Sequence, residues 1–144
     1  MNATLQDIVQ GVVPPALYTL RSRARPATVA AALAERGWRC FLLDGRTIDA
    51  KATFLAAAAQ AIQFPGYFGA NWDAFEECLN DLSWVPALGY VLLYDNPKHF
   101  ARAQPADWAV ARAILSDAAM RTQATPPPLY VLLRTYRAVV PPKP

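Results

Sequence analysis

Apolar positions in this chain fall into short continuous runs, and the stretches between them carry helical spacing. Residues 16–20 (ALYTL) predict a short strand, and 38–44 (WRCFLLD) predict a strand buried on both faces that closes at Asp44-Gly45. Two more apolar runs, 89–94 and 129–133, predict two more strands. Pro26 opens a helix that Gly37 stops, and a second helix spans 49–63, ending before Pro65. Asn71 suits an N-cap and opens a helix to about Leu82. A turn with a short helix follows over 95–103, and Pro105 starts a long amphipathic helix to about Gln123. Parallel strands need crossovers of about a dozen residues, so this order predicts an α/β fold. The expected sheet is short and parallel, with three core strands, a fourth from the N-terminal segment, and helices covering it. Residues 1–15 and 139–144, rich in proline, read as loose ends.

A chain of 144 residues can bury enough surface to fold without a disulfide or a metal. Cys40 and Cys78 sit in apolar surroundings and read as two reduced, buried thiols. The single histidine, His99, lies in a polar turn, and no zinc-type ligand spacing occurs. No apolar run reaches the roughly 18 residues of a membrane helix, and the start has no basic flank before an apolar stretch. These features predict a cytoplasmic protein with no cofactor and no membrane contact.

Charge changes this picture more by its distribution than by its net value of +3. Residues 1–51 carry seven basic and four acidic side chains, and 98–144 carry seven basic and two acidic. Residues 52–97 hold no Lys or Arg, yet include Asp73, Glu76, Glu77, Asp81 and Asp95. On a helix starting after Asn71, Trp72, Phe75, Leu79 and Leu82 form one apolar stripe. Asp73, Glu77 and Asp81 repeat every four residues on another face, with Glu76 and Asn80 beside them. Asp73 in the first turn favours the positive end of the helix dipole. Glu77 and Asp81 lie beyond that help, and like charges four apart cost roughly 0.2–0.5 kcal/mol each. The ridge is either a solvated face or a surface that recognises a basic partner. Carboxylate pairs can also serve hydrolysis, but such pairs usually face each other across a cleft rather than line one convex helix. GxGxxG, P-loop, HExxH and GxSxG sequences do not occur. Tyr67 and Phe68 could stack bases, but the neighbouring carboxylates would repel phosphate.

The segment PGYFGANWDAFEECLNDLSW resembles the helix and preceding loop of the barstar family, inhibitors of barnase-type ribonucleases. FLLDGRTIDAKATFLAAAAQAIQF resembles that family's first strand, turn and first helix. YVLLYDNPKHF, DWAVARAILSDAAMRT and LYVLLRTY resemble its second strand, last helix and final strand. The resemblance divides the chain into an N-terminal extension over 1–37 packed on the core, a barstar-like domain over 38–136 and a Pro-rich tail over 137–144. It implies a non-catalytic inhibitor, monomeric when free, whose helix enters the cleft of a basic ribonuclease. The residues it implicates are Tyr67, Asn71, Trp72, Asp73, Glu77 and, by looser alignment, Asp117, and the ridge itself adds Glu76 and Asn80 to the expected partner-binding set. Glu77 stands where the family usually has Asp, and Glu76 where it often has Trp. An alternative reading keeps the fold but makes the chain an interaction module. In that reading its basic ends, Arg21, Arg23 and Arg25 among them, bind RNA or an acidic protein.

Overall fold

A computed structural model describes residues 1–66 and 70–137. Its strands are β1 (Asn2–Ala3), β2 (Leu17–Leu20), β3 (Trp38–Asp44), β4 (Gly89–Asp95) and β5 (Leu129–Arg134). Its helices are α1 (Leu5–Val9), α2 (Pro26–Ala34), α3 (Lys51–Ile62), α4 (Trp72–Asp81), α5 (Lys98–Ala103) and α6 (Pro105–Arg121). The strands form one sheet in the order β1-β2-β5-β4-β3, and every neighbouring pair is parallel. The α/β class and the parallel sheet match the expectation; the sheet has five strands rather than four.

The extra strand lies in the N-terminal segment expected to be loose. Thr4 caps α1 reciprocally with Asp7: the Thr4 hydroxyl accepts from the Asp7 N–H, and the Asp7 carboxylate accepts from the Thr4 N–H, both at 3.1 Å. The following turn is tied down by bonds from distant residues. The hydroxyls of Tyr18 and Tyr130 donate to the carbonyls of Pro14 and Val13, and the Gln123 amide donates to Pro15. A two-residue strand has no readable period, so only its pairing with β2 reveals it.

Successive strand residues face opposite sides, and both sides of the sheet centre are covered, so all seven residues of β4 are buried. One side packs Tyr90, Leu92, Tyr94 and Val131 against α3, α4, α5 and α6. The other packs Val91, Leu93, Tyr130 and Leu132 against Ile8 of α1 and Val29 and Leu33 of α2. The segment before residue 38 therefore supplies the entire helical cover of one face.

β3 departs from the expectation of burial on both faces. It is an edge strand, and its burial alternates: Phe41 and Leu43 are buried, while Leu42 is 37% exposed. Cys40 is accordingly half-buried and Cys78 buried, and both are free thiols. Burial pushes the Cys40 thiol up to about 12, with the negative charge of Asp95 adding to it. Gly45, after β3, has no room for a side chain, because a Cβ there would lie 2.2 Å from the Asn96 carbonyl oxygen and 2.3 Å from that of Asp95. The ends of β3 and β4 are thereby held close together.

Candidate functional site

α4 is placed by its cap and by aromatic packing. The Asn71 side-chain oxygen accepts from the Ala74 N–H at 2.8 Å, as the sequence led one to expect. The buried stripe consists of Phe75, Cys78, Leu79 and Leu82, with Trp72 half-buried. At the start of the helix, Trp72 lies against Phe54 of α3 with ring centroids 5.9 Å apart. One turn later Phe75 meets the same Phe54 edge-to-face at 5.3 Å and 82°. Beyond the helix, the Trp84 indole N–H donates to the Ile62 carbonyl at 3.1 Å and anchors the returning chain to the end of α3. The helix stops at Leu82, whose φ of 53° is left-handed and whose side chain is buried.

With that stripe inward, Asp73, Glu76, Glu77, Asn80 and Asp81 are all exposed. Among the described residues none of these four carboxylates forms an ion pair; the ion pairs there are Asp44–Arg46 and Asp95–Arg134. The ridge from Asp73 to Asp81 runs about 12 Å along the helix at 1.5 Å per residue. Its field is felt in the interior: burial raises the Cys78 thiol's pKa, and Glu77 and Asp81 raise it further. The ridge is convex and offers hydrogen-bond acceptors, and among the described residues no base or nucleophile faces it. Among the described residues no group of three or more His, Cys, Asp or Glu side chains is placed to hold a metal ion.

A family model described as Barstar (barnase inhibitor) matches residues 38–134. The chain belongs to the barstar family. No curated protein matches it. The family match begins at β3, so β1, β2, α1 and α2 lie outside it although they complete the sheet. No helix among the described residues is long and apolar enough to cross a membrane.

Within this barstar-family chain, α6 packs beside α4. Leu79 and Ala118 share the same core, and a groove of about 290 Å³ between the helix ends is lined by Asn80, Asp81, Ala118 and Arg121. Asp117, next to Ala118, is exposed on α6. Tyr67 lies outside the described residues. Two cations near the ridge were not foreseen from sequence. Lys51, at the start of α3, holds its ammonium 5.5 Å from the Trp72 ring centre, and Arg121 lines the groove with Asp81. Neither is near the ridge in sequence; only the packing of α3 and α6 around α4 brings them there. The spacing of Trp84 from α3 likewise carries no signal for the bond it makes.

Proposed function

We propose that this chain inhibits a basic ribonuclease by presenting α4 and its preceding loop to the enzyme's active site. The observation that carries this reading is the exposed ridge of Asp73, Glu76, Glu77 and Asp81, which makes no ion pair among the described residues, on a helix held at both ends. Carboxylates in such an array can stand in for RNA phosphates against the Arg, Lys and His of a nuclease cleft. Asp73, Glu76, Glu77 and Asn80 make the polar contacts, and Trp72 packs at their margin. Asp117 adds charge from the neighbouring helix, and Tyr67 comes from the loop. Asn71 acts by setting the helix start. Preorganisation of the helix favours tight binding, because little backbone freedom remains to be lost. Opposite charges also steer encounter, for which barnase with barstar is itself a familiar instance.

The test is cleavage of a fluorogenic RNA by a barnase-type ribonuclease, titrated with this protein and with Glu77→Ala. Stoichiometric inhibition that the substitution relieves, with an unchanged melting temperature, is the expected result. Undiminished inhibition by Glu77→Ala would remove the ridge from the mechanism, and no inhibition by the native chain would end the proposal.

A further inference from the structure

In an all-parallel sheet the carboxyl ends of the strands share one edge, and the residues that follow each strand collect there. In this chain six of those residues are basic. Arg21 and Arg23 follow β2, Arg46 follows β3, Lys98 and Arg102 follow β4 on α5, and Arg137 follows β5. All six are exposed, and among the described residues the ion pair these cations make is that of Arg46 with Asp44. The other acid at this edge, Asp95, is buried and taken by Arg134 at 2.6 Å.

These side chains line connected clefts. One of about 370 Å³ is bounded by Arg46, Lys98, His99, Arg102, Tyr136 and Arg137, without a carboxylate among the described residues of its lining. Arg46, Asn96, Tyr136 and Arg137 also border a second, of about 550 Å³, whose other walls include Pro26, Leu42 and Leu93 and the carboxylates of Asp44 and Asp95, each paired with an arginine. Thr135 links the first cleft to a third that contains Arg21 and Arg23. No residue of α4 lines any of the three.

The aromatic wall is fixed in place. The Asn96 side chain accepts from the Tyr136 N–H at 2.9 Å and donates to the Tyr136 carbonyl at 3.1 Å. The Arg134 guanidinium lies 4.3 Å from the centre of the Tyr136 ring. Asn96 holds this clamp from a left-handed φ of 58°, which Asn tolerates better than most residues.

We propose that the carboxyl edge of the sheet binds single-stranded nucleic acid. Cations track the phosphates from the β2 end to α5, and a base rests in the half-apolar cleft against Tyr136 and Leu42. A groove of exposed cations, of which Arg46 alone is in an ion pair among the described residues, beside a half-exposed aromatic ring is the combination by which single strands are held without sequence readout. With β2, β5, β4 and β3 about 4.8 Å apart, the edge is about 14 Å long, more than one nucleotide needs. That length and the separate Arg21–Arg23 cleft favour a strand over a free nucleotide.

The experiment is fluorescence anisotropy of a labelled oligouridylate strand with the full chain at several salt concentrations, with uridine triphosphate and polyglutamate as competitors. Expected are binding that weakens with salt, with a log–log slope of about 2 for about three phosphates, and at least a tenfold loss in Lys98→Glu/Arg102→Glu. Arg21→Glu/Arg23→Glu should also weaken binding. Tyr136→Ala should weaken it about fivefold or more and Tyr136→Phe should not, while Glu77→Ala leaves it unchanged. All these side chains are exposed or half-exposed, and melting curves confirm that each variant is folded. No binding by the native chain, equal affinity for uridine triphosphate, equal competition by polyglutamate, or indifference to the charge reversals would each overturn the proposal. The result is independent of ribonuclease inhibition, which uses α4.

Discussion

Glu77 and Tyr94 show how differently two side chains in this protein can matter. Glu77 is exposed on a like-charged ridge and makes no ion pair among the described residues, so the fold gains little from it. Glu77→Ala is expected to weaken ribonuclease binding by more than about 2 kcal/mol, as a hot spot does. Its denaturation midpoint should stay the same or rise slightly as repulsion along the helix falls. Competition assays beside chemical denaturation separate the two effects, and equal losses in both would return the ridge to a structural role. Tyr94, by contrast, is fully buried among Phe54 and Trp108, and its hydroxyl finds no hydrogen-bond partner among the described residues. Tyr94→Phe removes an unsatisfied polar atom and is expected to stabilise the chain by about 1 kcal/mol. Burial raises the pKa of Tyr94 above its ordinary 10.0 and that of Cys40 above its ordinary 9.0. In the folded chain both keep protons that they lose when unfolded. As pH rises past about 9 the unfolded state therefore binds fewer protons, and stability falls. Melting temperatures should drop between about pH 8 and about pH 10.5, less steeply in Tyr94→Phe; a flat profile would contradict the burial of these groups.

α4 was the element most readable from sequence, because its cap, apolar stripe and charged face repeat at helical spacing within a few residues. Asn71→Ala should cost about 1 kcal/mol of stability by leaving a first-turn N–H without its acceptor, while Asn71→Asp keeps most of it. The same substitution should weaken inhibition more than stability requires, since the start of the ridge is no longer fixed. A binding loss no larger than the fraction unfolded would mean that the cap serves the fold alone. β3 was read less well. Its run WRCFLLD looks like a central strand, and nothing local says that its outer edge is unpaired and Leu42 open. β1 is two residues long, too short for any pattern, although the Thr4–Asp7 box beside it follows a recognisable S/T-x-x-acid spacing.

At the scale of the whole molecule, α1 and α2 cover one face of a sheet whose central strands belong to the family match. Deleting residues 1–36 would uncover Val91, Leu93, Tyr130 and Leu132. The truncated chain is expected to bind a hydrophobic dye and to lose its cooperative melting transition, and a soluble fragment with a sharp transition would refute this. The charges are also organised globally, with an acidic helix on one element and a basic edge on the sheet. Association with a basic nuclease should slow as salt shortens the Debye length, about 10 Å at 0.1 M, and stopped-flow rates check this. An association rate that ignores salt would remove steering from the mechanism. What the sequence determined alone were properties set within a few residues: the helical and strand periods, the Asn71 cap, the α/β order and the ridge from Asp73 to Asp81. The resemblance of 65–84 to the barstar family rests on that same short span. Tertiary structure decided whatever depends on which distant segments meet. Strand order made β3 an edge, packing brought Lys51 and Arg121 to α4, and parallel pairing collected Arg21, Arg46, Lys98 and Arg137 along one edge. Local spacing carries no information about such meetings, because they are set by how the layers bury their apolar faces against one another.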